Sequence, residues 1–239
     1  MKTFSHYARF ILAATALTVS SAYADPAHVT WAENLVDHIT PDKNEYASNP
    51  SYVKWAGVNG ATTYENRTQC SSFLTQLLKQ TYQWNNTQFS QWFGSSSPSA
   101  ALYHDEIAAQ QDFALVTQAQ QIQKGDILAI KYFEEDAEVT GHVMLADDIA
   151  RAVAPGEPVI DGTTQYELKV IDSSKSGHGN DDTRLLDDKS WDSGVGKGTL
   201  RLYVDGGGAV VGYSWSFSKN SVYYGPQSPR HLVIGRLVF

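Results

Sequence analysis

One cysteine, Cys70, occurs in 239 residues, and that scarcity excludes a whole class of folds. A lone thiol closes no internal disulfide, so the chain is not a small domain stapled by cysteine pairs. Long hydrophobic runs are also missing. The most apolar stretch, Phe10 to Val19, is well short of the roughly 20 residues a membrane-spanning helix needs. Basic residues are scarce and scattered: 18 Lys and Arg stand against 26 Asp and Glu, a net charge of −8. With no Lys/Arg run or stripe, the chain has no electrostatic means of holding nucleic acid or an anionic membrane. Internal repeats, an H-E-x-x-H zinc motif and an EF-hand loop are all absent, so no metal and no cofactor is expected. The polar run His178-Gly179-Asn180-Asp181-Asp182 reads as a solvated turn in preference to a cation site, and Asp187-Asp188 reads the same way.

What is present begins with an address. Lys2 and Arg9 make a basic start, the apolar run follows, and Ala22-Tyr23-Ala24 ends it with small residues at the two positions that matter. This is the layout of a secretory signal peptide cleaved after Ala24. An uncleaved anchor is the weaker reading, and without a cysteine at the cut site a lipid anchor is not expected. The mature chain, 25–239, is then periplasmic or secreted. Loss of Lys2 and Arg9 leaves 16 basic against 26 acidic side chains, a net charge of −10. Its 215 residues suffice for one compact domain, expected to be monomeric.

Helical periodicity comes first along that chain. Asp25-Pro26 opens a helix to about Thr40, with Ala32, Leu35, Val36 and Ile39 at helical spacing and Pro41 as its stop. Pro41 to Gln69 reads as irregular. From Cys70 a second helix carries Phe73, Leu74, Leu77 and Leu78 on one face, and Phe89, Trp92 and Phe93 mark a short aromatic turn or helix. Ser99 caps a further helix to about Gln111. After Lys124-Gly125-Asp126 the period changes to that of strands, at Ile127 to Tyr132, Gly141 to Ala146 and Tyr166 to Asp172, with the acidic Glu134 to Glu138 as a solvated connection. Leu200 to Val204 and Ala209 to Phe217 flank Asp205-Gly206-Gly207-Gly208, a hairpin signal, and Leu232 to Phe239 closes the chain as a strand. Helices followed by an antiparallel sheet make an α+β fold, with the N-terminal helices packed on the sheet.

The chemistry centres on Cys70. With Thr68 as N-cap, Cys70 falls in the first helical turn, where free N–H groups and the helix dipole favour a thiolate. Lowering a thiol pKa by about two units takes roughly 2.7 kcal/mol, and a helix end supplies about 0.3–1, or 2 at best. A positive partner is therefore required, and histidine is the usual one. His6 leaves with the signal, His28 and His38 lie on the first helix, His104 lies on the helix after the serine-rich loop, and His178 and His231 are expected to face solvent. His142 differs because it opens an apolar strand, Gly141-His142-Val143-Met144-Leu145-Ala146, where a titratable ring needs a partner.

Gln69-Cys70, then Gly125-Asp126-Ile127 leading one strand, then Gly141-His142-Val143 leading the next, resemble the CHAP amidohydrolases/peptidases and their NlpC-type relatives. These are compact papain-like cysteine hydrolases. The resemblance covers Tyr64 to Ser173, and the 72-residue gap from Cys70 to His142 suits that compact group. It implies a papain-like domain over 25–239, with Cys70 as nucleophile, His142 as base, and a polar residue on the following strand to orient the imidazole. Asp172 is the candidate for that third role, against the alternative of a turn former before Ser173-Ser174. The N–H of Cys70 or Ser71 is assigned to the oxyanion hole, and Tyr64 lies where relatives often place a tyrosine near the nucleophile, or serves as a core aromatic. Two departures bear on the bond that is cut: Gln69-Cys70-Ser71-Ser72 replaces the NlpC-type Asp-Cys-Ser-Gly, and Asp172 stands where many relatives have His.

Three readings follow. The first is an amidase or endopeptidase acting on peptidoglycan or its peptides. The second is a secreted thiol hydrolase or acyltransferase acting on another amide, ester or thioester. In the third, a non-catalytic binding module, Cys70 is merely packed. Trp84, Trp92, Trp191, Trp215 and Tyr213 carry little weight for a binding groove, because aromatic side chains fill cores more often than they line grooves.

Overall fold

The computed structural model describes residues 25–134 and 139–238; the signal-peptide reading and most of the acidic connection at 134–138 fall outside them. Helix α1, Ala27–His38, buries Val29, Ala32 and Leu35 and ends before Pro41 as its spacing predicts. Where the sequence reads as irregular, three short strands form a small sheet of their own: β1 (Asn44–Glu45), β2 (Tyr52–Lys54) and β3 (Glu65–Arg67), with β3 in the middle. Two or three residues show no periodicity, so this sheet has no signature. It is fixed by side chains instead: Asn44 Nδ2 donates to the Val195 carbonyl and its Oδ1 accepts from the Val195 N–H, each at 2.8 Å.

Helix α2, Cys70–Tyr82, buries Phe73, Leu74, Leu77 and Leu78. Helix α3, Asn86–Phe93, starts at Asn85, whose side chain accepts from the Gln88 N–H. Helix α4, Ala100–Ala108, starts at Ser99 as expected but stops three residues short of Gln111, followed by Gln110 and Asp112 at positive φ.

The strands that follow are β4 (Phe113–Leu115), β5 (Ile127–Tyr132), β6 (Gly141–Ala146), β7 (Arg151–Ala152), β8 (Thr163–Ser174), β9 (Gly194–Asp205), β10 (Val210–Ser214), β11 (Tyr223–Tyr224) and β12 (Arg230–Leu237). They form one sheet in the order β11-β10-β9-β8-β6-β5-β12-β4, with β7 on β8, and every pairing is antiparallel. The glycine-rich turn joins β9 to β10 as a hairpin, with Asp205 Oδ1 accepting from the N–H groups of Gly207 and Ala209. Both faces of the sheet centre are buried. Ile127, Ala129, Val143, Leu145 and Ile171 pack under the helices, while Leu128, Ile130, Met144, Val170 and Leu202 pack on the other side. This is an α+β molecule, and among its described residues no helix is long and apolar enough to cross a membrane.

Two glycines set up the site. Gly125 has φ +94, and a Cβ there would lie 2.8 Å from Pro26 Cγ, so the turn before β5 can lie against the start of α1. Its neighbour Asp126 is buried and accepts from Gln123 N at 2.8 Å and from Arg236 Nε at 2.8 Å, tying the turn to β12. At Gly141, φ is +148 and a Cβ would stand 1.9 Å from the Ile130 carbonyl oxygen. Only glycine permits that approach, and it fixes where His142 enters β6.

Candidate active site

Strands β6 and β8 are paired only at Leu145↔Ile171 and Ala146↔Val170. Toward His142 and Asp172 the ladder opens, and α2 packs against both strands. The cap of α2 is Gln69, not Thr68: the Gln69 N–H donates to Ser72 Oγ at 2.9 Å, and Cys70 is the first helical residue. Thr68 is buried, and its carbonyl accepts from Ser173 Oγ at 2.8 Å. One hydrogen bond therefore links the chain two residues before the cysteine to the residue after Asp172.

Cys70, His142 and Asp172 are brought together. His142 is hydrogen-bonded to Cys70, and its Nε2 donates to Asp172 Oδ2 at 2.6 Å, which leaves Nδ1 for the sulfur. Burial works against the Cys70 thiolate. The charge and hydrogen bond of His142, with the Val143 N–H, outweigh it and hold the thiol below its ordinary value. Burial likewise works against a charged imidazole, but the thiolate and Asp172 push His142 up to about 10. The two groups thus favour each other's charged forms, the thiolate and the imidazolium.

Asp172 lies inside β8, opposite Gly196 of β9, with its carboxylate buried, rather than in a turn. Its second imidazole partner is His178, whose Nε2 lies 3.1 Å from Oδ2. Arg184 Nη2 lies 2.9 Å from Oδ1, an ion pair outside hydrogen-bond alignment. Burial raises the carboxyl; Arg184 and His178, with the hydrogen bonds from the two rings, hold it well below the usual carboxylate range. Arg184 is itself gripped by Asp182, Nε to Oδ1 at 2.9 Å and Nη2 to Oδ2 at 2.8 Å, and Asp182 also accepts from the His178 N–H at 2.7 Å. Trp215 stands 4.8 Å from the His142 ring, edge-on, and stacks on His178 at 4.2 Å.

The expectation that His178 faces solvent is therefore wrong: it is 1% exposed. The polar run after β8 is no solvated turn, because an isolated buried Asp172 would be untenable without donors. A signal existed in the sequence: a carboxylate at a strand end, followed within twelve residues by His178, Asp182 and Arg184. Asp181 in the same run is paired with Lys169 and Thr199. Among the described residues no group of three or more His, Cys, Asp or Glu side chains is placed to hold a metal ion.

Ser71 occupies the second position of α2, so its N–H and that of Cys70 are free of intrahelical partners. Tyr64 is not brought to the nucleophile. It stacks on His38 at 5.0 Å and packs against the helix-side core. A tyrosine that does reach the site is Tyr46, which lies between β1 and β2. Burial, then the charges of Cys70 and Asp172, raise its phenol, so it stays a neutral donor. Tyr46, Gln69, His142, Tyr213 and Trp215 line a cleft of about 450 Å³, with Lys175 and Arg230 on its walls.

The chain is similar to "Uncharacterized protein R653" of Acanthamoeba polyphaga mimivirus, 30% identical over 222 residues that cover 89% of this chain and 97% of the viral one. No known family description matches the chain. No solved structure matches it.

Proposed function

The chain belongs to one family with the mimivirus protein, and we propose that it is an exported cysteine hydrolase of the papain-like CHAP/NlpC kind, cutting an amide bond in peptidoglycan as a monomer. The observation that carries this reading is the line from Cys70 through His142 to Asp172, with Gln69 and His142 lining a cleft. In the proposed reaction the Cys70 thiolate attacks the amide carbonyl carbon. The oxyanion forms against the N–H groups of Cys70 and Ser71. The His142 imidazolium then gives its Nδ1 proton to the leaving nitrogen, the C–N bond breaks, and a thioester remains on Cys70. Neutral His142 takes a proton from water, the hydroxide attacks the thioester, and the thiolate departs beside a restored imidazolium. Asp172 fixes the tautomer and offsets the ring's charge throughout.

A merely packed thiol has no need of an imidazole on a buried carboxylate, and this speaks against the binding-module reading. The peptidoglycan substrate and the export rest on the leader-like N-terminus and the family resemblance. Digestion of purified sacculi tests them: the wild-type protein releases soluble peptides or glycan strands, and Cys70→Ala releases none. Release by Cys70→Ala refutes the mechanism. A wild type that leaves sacculi intact while hydrolysing a simple thioester moves the substrate off the wall.

A further inference from the structure

On the other side of α2 from its capped end lies a larger concavity, an open groove of about 780 Å³ between β2, the loop from Trp55 to Thr63, and the second half of α2 through Asn85. We propose that this groove binds an uncharged polysaccharide chain. Its charged side chains are few and already hydrogen-bonded within the protein. Lys54 is paired with Glu65 at 2.9 Å, and Lys79 donates to Asn86 Oδ1 at 3.0 Å and to the Ser96 carbonyl. A single ammonium, Lys79, is left without a counter-ion, too little to hold a polyanion such as nucleic acid.

The groove offers uncharged polar groups beside fixed aromatic rings. The side chains of Asn59, Thr62 and Gln80 make no hydrogen bond within the described residues. Amides and hydroxyls both donate and accept, as sugar hydroxyls do. Trp84, half-buried, is braced by Tyr82 at 4.9 Å and Trp92 at 4.6 Å, so its ring is held in place before any ligand arrives. The apolar face of a pyranose suits such a ring. A peptide suits the groove less well. Its one strand, β2, is an edge strand, but the Val53 N–H is already accepted by Gln76 Oε1 at 3.0 Å, which obstructs strand addition.

This inference does not require hydrolysis. The groove meets α2 from Gln76 onward, six residues and about 9 Å along the helix from Cys70, and shares no lining residue with the cleft, so the two are separate sites. If the proposed function holds, a glycan seated in the groove presents its attached peptides to the cleft. The test is isothermal titration calorimetry of the purified protein with β-1,4-linked tetramers of glucose and of N-acetylglucosamine, and with a neutral tetrapeptide. At least one oligosaccharide binds saturably. Trp84→Ala weakens it about tenfold or more, as does the pair Asn59→Ala with Gln80→Ala, while Cys70→Ala leaves it unchanged. The pair carries the decision if Trp84→Ala fails to fold. No saccharide binding up to about 10 mM, binding that ignores these groove variants, or capture of the tetrapeptide instead, overturns the proposal. Saccharide binding retained in a protein that leaves sacculi intact separates this result from failure of the hydrolase reading.

Discussion

At the scale of the residue, the pairing of Cys70 with His142 fixes how the thiol responds to pH. An ordinary thiol ionises near pH 8.5, so its alkylation rate climbs with pH through neutrality. Cys70 is held below its ordinary value and His142 is pushed up to about 10, so iodoacetamide labelling should rise at lower pH, and less steeply above neutrality, than that of a free thiol. His142→Ala leaves a buried thiol without its counter-charge, and labelling should fall by about tenfold or more at pH 7 and regain a steep pH dependence. A wild-type rate that climbs like that of a free thiol contradicts the ion pair. Asp172→Asn keeps the shape and removes the charge. It should slow turnover by orders of magnitude while leaving Cys70 accessible to the same reagent.

At the scale of the element, the segment between β8 and β9 is a brace for Asp172. Arg184 is almost wholly buried between Asp172 and Asp182. Arg184→Met leaves two carboxylates without their cation and should cost about 3–5 kcal/mol, read as a lowered urea midpoint. Arg184→Lys should recover little of it, since an ammonium lacks the planar fork that reaches both acids. Gly141→Ala sets a methyl against the Ile130 carbonyl, so it should destabilise β6 by about 1–3 kcal/mol and slow Cys70 labelling as His142 shifts. A protein equally stable and equally reactive with alanine at 141 contradicts the strain argument.

The same elements mark what the sequence made legible. The apolar stripe of α2 and the runs of β5 and β6 belong to long, strongly patterned segments, and their bounds were readable. The short β4, β7 and β11 have two or three residues each and exist because a partner strand lies beside them, which no local pattern records. Cys70, His142 and Asp172 were readable from their order and strand context. Tyr46 was not, because it reaches the site through a loop whose path depends on tertiary contacts; His178 left a signal only in its company with Asp182 and Arg184 after Asp172, which periodicity does not record. Tyr64 was misplaced for the same reason: three further aromatic residues, Tyr52, Trp55 and Tyr64, lie between Tyr46 and Cys70, and spacing alone does not say which one turns inward.

At the scale of the whole molecule, the site makes stability depend on pH in a specific way. Folding depresses the Cys70 thiol, whose contribution is complete above its unfolded value of about 8.5, and raises the His142 imidazole to about 10, whose contribution is complete below about 6.5. Across the neutral range the two contributions change in opposite directions with pH and offset each other. Above it, the depressed thiol has delivered its full contribution, and the raised imidazole loses its own as pH climbs through about 10. Below it, the imidazole contribution is fully present and the thiolate contribution is lost as pH falls. Asp172, held well below the usual range, adds a further loss below about pH 4. Thermal midpoints should therefore be level across the neutral range and fall on both sides. Cys70→Ala should remove the alkaline decline that His142 causes; an unchanged decline assigns it to other groups.

The single thiol has a last consequence. A sulfenic acid on a reactive cysteine is normally rescued by condensing with a nearby thiol, and this chain has none to offer. Once oxidised, the molecule depends on an outside reductant for its repair, and where none is at hand its working life ends with that one event.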